Sequence, residues 1–193
     1  LENRYLKAVF LPEFGGRLWE LWDKYTGRNL LYTNDVLQFS NLAVRNAWFS
    51  GGVEWNIGII GHNPFTTEPL YTAQIVNEDG EPVLRMYEYE RIRKVTYQMD
   101  FWLEKDSSFL NCRMRIVNEG KEVVPMYWWS NMAVPEYKNG RVIVPAVQAF
   151  TSRGTQVTKV DLPMVENIDI SDYTAIKKSV DYFFDIPAGC PKY

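Results

Sequence analysis

Glu54 and His62 are the two side chains whose types and setting suggest proton transfer. His62 is the single histidine of the sequence, and imidazole is the side chain that ordinarily titrates between about pH 5 and 8. Glu54 sits between Gly52-Val53 and Trp55, where a neighbouring indole could raise a carboxyl and suit it to acid or base work. Both lie in the stretch from Arg45 to Pro64, which also holds Trp48, Phe49 and four of the twelve glycines. Neither a helical nor a strand period runs through it, and it is too apolar for a solvated segment. It reads as an ordered loop lining a cleft. The plainer readings stay open: a structural histidine, and a loop glutamate accepting backbone N–H bonds.

Other residues could complete a binding cleft. Trp55 and Trp129 are candidate platforms for the C–H face of a sugar ring, since an indole offers an apolar face with a polar handle; Trp48 and Trp128 read as core. Asn56 follows Trp55 in the same stretch. Asn131 and Ser130 interrupt the apolar run Val123–Val134, where a polar group must be bonded to something. Arg45 and Arg17 could each hold a hydroxyl or carboxylate, Arg17 more simply as a structural partner in its turn. Glu136 is a candidate second carboxylate. No metal-ligand cluster stands out and no cofactor is called for. Cys112 and Cys190 are too few and too far apart for a metal site or disulfide framework, and Cys112 is expected to be a buried thiol.

The elements that must position these groups are strands. Val95, Tyr97, Met99, Phe101 and Leu103 alternate with Thr96, Gln98, Asp100, Trp102 and Glu104; Leu110, Cys112, Met114 and Ile116 alternate with Asn111, Arg113, Arg115 and Val117. A period of two with one buried face is the signature of a half-buried strand. Further strands are expected at Arg4–Leu11, Arg17–Trp22, Asn29–Tyr32, Val36–Val44, Tyr71–Val76, Arg141–Phe150, Thr155–Leu162 and Ser179–Ile186. The run Val123–Val134 suggests a strand buried on both faces. Asn77-Glu78-Asp79-Gly80 and Asn139-Gly140 are hairpin turns. No helix of three turns is legible, so the chain reads as all-β, a sandwich or barrel.

Composition narrows the classes. The 193 residues are 46% hydrophobic and 15% aromatic, enough for a core with rings to spare for an amphipathic ligand or cross-strand pairs. Net charge is −3 and no basic run exceeds Lys177-Lys178, so a nucleic-acid footprint is missing. No apolar run reaches bilayer length. The chain opens at Leu1 with no signal-peptide pattern and ends after a Pro-Ala-Gly-Cys-Pro turn. The expectation is an excised piece with further strands beyond Tyr193, whose compartment is not readable from this N-terminus.

With the elements in order, three blocks resemble a known family. Phe14-Gly15-Gly16-Arg17-Leu18 followed by Asp23-Lys24-Tyr25-Thr26-Gly27-Arg28-Asn29-Leu30 is similar to the opening of aldose 1-epimerases (galactose mutarotases). Gly51-Gly52-Val53-Glu54-Trp55-Asn56 with Gly61-His62 resembles their glycine-rich cleft loop. Asn118-Glu119-Gly120 to Pro125, then Trp129-Ser130-Asn131, is similar to their central turn and active-site strand. The resemblance is closest to a bacterial branch, a domain of unknown function often placed ahead of tetratricopeptide repeats. It implies an antiparallel β-supersandwich over residues 1–193 as a single, partial domain, a carbohydrate ligand, and protein partners through repeats outside this chain. It also implies mutarotase-like or epimerase-like acid/base chemistry with Glu54 and His62 in the two roles. Two departures qualify that: Trp128–Met132 has no histidine where the family places its general acid, and the family's base, a late glutamate, would fall beyond Tyr193. A glycoside hydrolase using Glu54 and a second carboxylate, and a non-catalytic sugar-binding or scaffold domain, are the alternatives.

Overall fold

Strand follows strand through the computed structural model, which describes residues 1–40, 48–57 and 62–190; its helical segments are three single 3-10 turns. The all-β expectation holds. The chain divides into two compact units, Leu1–Pro135 and Glu136–Tyr193.

The first unit begins with β1 (Leu6–Leu11), β2 (Arg17–Asp23), β3 (Arg28–Asn29) and β4 (Val53–Ile57). A meander follows: β5 (Tyr71–Val76), β6 (Pro82–Glu90), β7 (Val95–Leu103) and β8 (Leu110–Val117). The chain then returns as β9 (Trp128–Met132). One antiparallel sheet has the order β1-β2-β4-β9 with β3 on β2, and the other runs β5-β6-β7-β8.

The alternation read in β7 is the one the fold uses. Val95, Tyr97, Met99, Phe101 and Leu103 are all buried, and Phe101 meets Phe10 of β1 at 4.6 Å and Trp55 of β4 at 5.2 Å between ring centroids. Ile57, Met86, Tyr97 and Met99 complete the layer between the two sheets. Each such side chain is worth about 1.5–3 kcal/mol relative to an exposed one. Turn chemistry agrees with the sequence at Asn77, whose side chain accepts the N–H groups of Asp79 and Glu81.

On the outer face of β7 lies Asp100, fully buried although it is charged. Arg85 grips it with two hydrogen bonds, 2.7 and 2.8 Å, and Arg113 adds a third at 2.9 Å. Burial, the largest single influence, pushes the Asp100 carboxyl upward, but the hydrogen bonds and charges of the two arginines together hold it below the ordinary aspartate range. A depressed carboxyl adds stability that is present above the unfolded value of about 3.9 and is lost as pH falls through the folded value. Asp100→Asn should therefore cost about 1–3 kcal/mol at neutral pH and flatten the acid limb of the stability curve. Urea midpoints at pH 7 and below pH 4 check both expectations.

Gly52 is required by the approach of β2 to β4. Its φ is +66°, and a Cβ there would lie 2.3 Å from the Leu18 carbonyl oxygen. The left-handed conformation alone costs an L-residue on the order of 1–2 kcal/mol, and the backbone contact adds to it. Gly52→Ala should lose more than about 2 kcal/mol, read as a lowered denaturant midpoint.

Several expected elements differ. Val53–Ile57, read as loop, is a strand whose Val53, Glu54, Asn56 and Ile57 are all buried, so no wet face marks its period. Residues 36–40 form no strand, only a bridge from Ser40 to Trp48, and residues 41–44 lie outside the described residues. Of Val123–Val134 only Trp128–Met132 is extended in a sheet; Val123, Met126 and Tyr127 are exposed, because nothing in the described unit covers them. Cys112 keeps its predicted face opposite Phe101 but is exposed, since among the described residues β8 is an edge strand of its sheet.

The second unit has β10 (Gln148–Arg153), β11 (Gln156–Asp161), β12 (Met164–Val165), β13 (Ile168–Asp169) and β14 (Tyr182–Phe184), with the orders β11-β10-β14 and β12-β13. Asn139 takes φ +65° and Gly140 closes a turn onto the Tyr137 carbonyl. No hairpin follows, because residues 141–147 are irregular.

Candidate functional site

The pairing of Leu18 with Val53 sets Arg17 beside Glu54, and the pairing of Glu54 with Asn131 sets the β9 amide on its other side. The segment after His62 supplies the rest. Asn63 caps a 3-10 turn with Pro64 at its first position, the arrangement those residues favour, and the turn delivers Thr66.

These elements converge on one carboxylate. Glu54 is 2% exposed. Its Oε1 accepts from the Thr66 hydroxyl at 2.8 Å and from Arg17 Nη2 at 3.4 Å. Its Oε2 accepts from His62 Nδ1 at 2.7 Å, Asn131 Nδ2 at 3.0 Å and Asn56 Nδ2 at 3.1 Å. Every partner is a donor, which suits an ionised, acceptor-only carboxylate. Arg17 is as deeply buried as Glu54, donates to the carbonyls of Phe49 and Gly51 and to Thr66 Oγ1, and lies over the Phe49 ring at 3.6 Å. Burial lowers the guanidinium to about 10, with the charge of Glu54 pulling the other way, so it remains a cation at neutral pH.

Because Glu54 can only accept, His62 Nδ1 carries the proton, and Nε2 is left as the acceptor of the ring. No hydrogen bond engages Nε2 among the described residues. The imidazole stands between Trp129 at 5.3 Å and Trp48 at 6.1 Å, centroid to centroid. Together with Glu54, Asn131, Arg17, Phe49 and the Ser50–Gly52 segment, His62 and Trp48 line a hollow of about 430 Å³, within the range of small-molecule sites. Glu54 is the one carboxylate among the described residues that line it.

The expected site residues separate by strand parity. Glu54, Asn56, Trp129 and Asn131 share one face of the β4–β9 pair, and His62 joins them there. Trp55 belongs to the opposite face: it packs on Phe101, stacks on Trp128 at 6.4 Å and donates its indole N–H to the Gly16 carbonyl. It is therefore core framework and does not line the hollow. Trp128 is core as expected, whereas Trp48, read as core, lines the hollow. Asn56 is spent inside the protein, its amide on Glu54 and its Oδ1 on the Asn63 N–H at 2.6 Å. Glu136 is exposed and belongs to the second unit. Arg45 lies outside the described residues. Thr66 is a member of the cluster that sequence reasoning missed; the Asn63-Pro64 cap signal could have placed it. Among the described residues no group of three His, Cys, Asp or Glu side chains offers a metal site, and no helix is long and apolar enough to cross a membrane.

Comparison with known proteins gives two likenesses. A family model described as Domain of unknown function (DUF5107) matches residues 1–184. The solved structure of a TPR-domain containing protein from Parabacteroides distasonis ATCC 8503 is similar with a TM-score of 0.76 and 23% sequence identity over 87% of this chain. At that identity the likeness concerns the fold. The chain spans 28% of that protein's length.

Proposed function

The chain belongs to the DUF5107 family, and from that premise we propose that its first unit recognises a carbohydrate in the hollow at His62 and performs mutarotase-like or epimerase-like proton transfer on it. The observation that carries the reading is the 2.7 Å contact between Glu54 Oε2 and His62 Nδ1. A buried carboxylate on one imidazole nitrogen fixes the tautomer, orients the ring and supports the imidazolium that forms when the other nitrogen takes a proton.

Glu54 and His62 then divide the work. His62 Nε2 accepts the proton of the anomeric hydroxyl, and the imidazolium so formed passes that proton to the ring oxygen as the bond from C1 to the ring oxygen breaks. The proton is returned as the ring closes on the other face of C1. Glu54, saturated by five donors, is the positioning residue. Trp48 and Trp129 offer apolar ring surface beside the imidazole for the C–H face of the sugar. The resemblance of the cleft loop and central strand to galactose mutarotases supports this choice of substrate.

Hydrolysis needs two carboxyl groups flanking the bond, and the single carboxylate among the described lining residues weighs against it. A non-catalytic sugar-binding domain is the rival with an observation behind it, because a carboxylate with five donors has no lone pair left for substrate. The TPR-containing neighbour favours a whole protein that also engages protein partners through repeats outside this chain.

Polarimetry of freshly dissolved α-glucose and α-galactose, with tryptophan fluorescence titrated in parallel, tests the proposal. Faster mutarotation lost in His62→Ala supports it; a fluorescence response without acceleration supports the binding domain; neither response refutes both.

A further inference from the structure

We infer that the outer face of the β5–β8 sheet is a second ligand surface, built for an acidic polysaccharide chain that carries uronate carboxylates. It is separate from the hollow, because the apolar layer lies between the two sheets, and it rests on no part of the reading given to His62.

The register defines the face. One row crosses the four strands as Tyr71, Tyr87, Gln98 and Arg115, and the next as Ala73, Arg85, Asp100 and Arg113. The Tyr71 and Tyr87 rings stack at 5.5 Å with an interplanar angle of 23°. That leaves the outward face of Tyr71, on the edge strand β5 and 63% exposed, open to a sugar ring. Tyr89, exposed and two residues beyond Tyr87, extends the aromatic side.

Charge selects the ligand. Among the described strand residues of this face three arginines meet one carboxylate, Asp100, and the next carboxylate of the same parity, Glu104, lies just past the end of β7. Arg85 is spent on it with two bonds, whereas Arg113 uses one nitrogen and is half exposed. Arg115 is exposed and makes no ion pair among the described residues. A guanidinium fork fits a carboxylate with two parallel bonds. Tyr87 and Arg115 stand two strand spacings apart, roughly 10 Å. A chain that stacks one ring at the tyrosines can thus set a carboxylate further along on Arg113 or Arg115.

A protein partner fits less well. Protein interfaces place an apolar, desolvated cluster at their centre, but the centre here is the Arg85–Asp100–Arg113 lattice, with Gln98 also donating to Asp100 at 3.1 Å. Such a centre is charged, and its two arginines remain partly exposed around the buried carboxylate. A hydroxyl-rich chain tolerates that.

Affinity electrophoresis of the chain through gels containing polygalacturonate, dextran or polyglutamate is the test. Retardation is expected in polygalacturonate only. It should weaken by about tenfold or more in Arg115→Ser and in Tyr71→Ala, two exposed positions whose variants should keep the wild-type urea midpoint. It should persist in His62→Ala, which separates this surface from the hollow. No retardation in polygalacturonate, equal retardation in polyglutamate, equal retardation in dextran, or indifference to both variants would each overturn the inference. Equal retardation in polyglutamate would point instead to an acidic protein partner or to charge alone.

Discussion

Glu54→Leu is expected to cost about 3–5 kcal/mol, the penalty of leaving one member of a buried ion pair without its partner. Against a total stability of about 5–15 kcal/mol, that brings the first unit near unfolding. The argument rests on what remains after the carboxylate is gone. Arg17 stays a cation at neutral pH and is 2% exposed, so it is left as a buried charge without its counter-charge. Thr66, Asn56, Asn131 and His62 each lose the acceptor they were aimed at. Glu54→Gln keeps one oxygen, which can face the three donors now on Oε2 while the amide donates to Thr66 Oγ1; its cost should fall to about 1–3 kcal/mol. Removing both charges in Arg17→Met with Glu54→Leu should cost less than the sum of the single changes, because neighbouring sites couple. Chemical unfolding of the four variants measures all of this. A Glu54→Leu midpoint within experimental error of the wild type would show that the ionic cluster does not hold the sheet.

His62→Ala is expected to lower the rate of mutarotation by about 10²–10⁴-fold, the usual worth of a positioned general base, while changing sugar affinity only a few-fold. The split matters. A residue that merely shaped the hollow would raise the half-saturation point and leave the maximal rate alone, whereas a proton-transfer group acts on the maximal rate. His62 is 23% exposed and its one hydrogen bond among the described residues goes to Glu54, so the alanine variant should fold and the kinetic comparison should be clean. Glu54→Gln supplies the second arm: it leaves Nε2 in the protein but loosens the ring and its charge support, and should reduce the maximal rate without removing sugar-induced fluorescence. Were His62→Ala as fast as the wild type, the histidine would carry no chemistry.

Local chemistry was enough to reveal the meander. In β7 one face is buried throughout and the other carries Thr96, Gln98 and Trp102, so a period of two is visible in the letters themselves. Asn77 likewise announces its turn through bonds to residues two and four positions ahead. The same reasoning went astray at Val53–Ile57. There, Glu54 and Asn56 face a buried polar cluster while Val53 and Ile57 face the apolar layer, so neither side looks like a surface. At Val123–Val134 apolar letters suggested burial, but burial depends on a covering element, and none of the described residues covers Val123.

The sequence by itself determined that this is a β protein, that Glu54 and His62 lie close together in one glycine- and tryptophan-containing stretch, and that Asn131 is a polar group in an apolar run. Those facts reside in residue type and in spacings of a few positions. Only the tertiary structure decided that Glu54 is a saturated anchor, since its donors come from 37 residues earlier, from 12 and 77 residues later, and from its own strand. It also decided that Trp55 is framework while Trp129 stands beside His62. The two indoles are chemically identical, and what separates them is strand register: one step along a strand turns a side chain to the other face of the sheet, and register is fixed by pairing between strands that are distant in the chain.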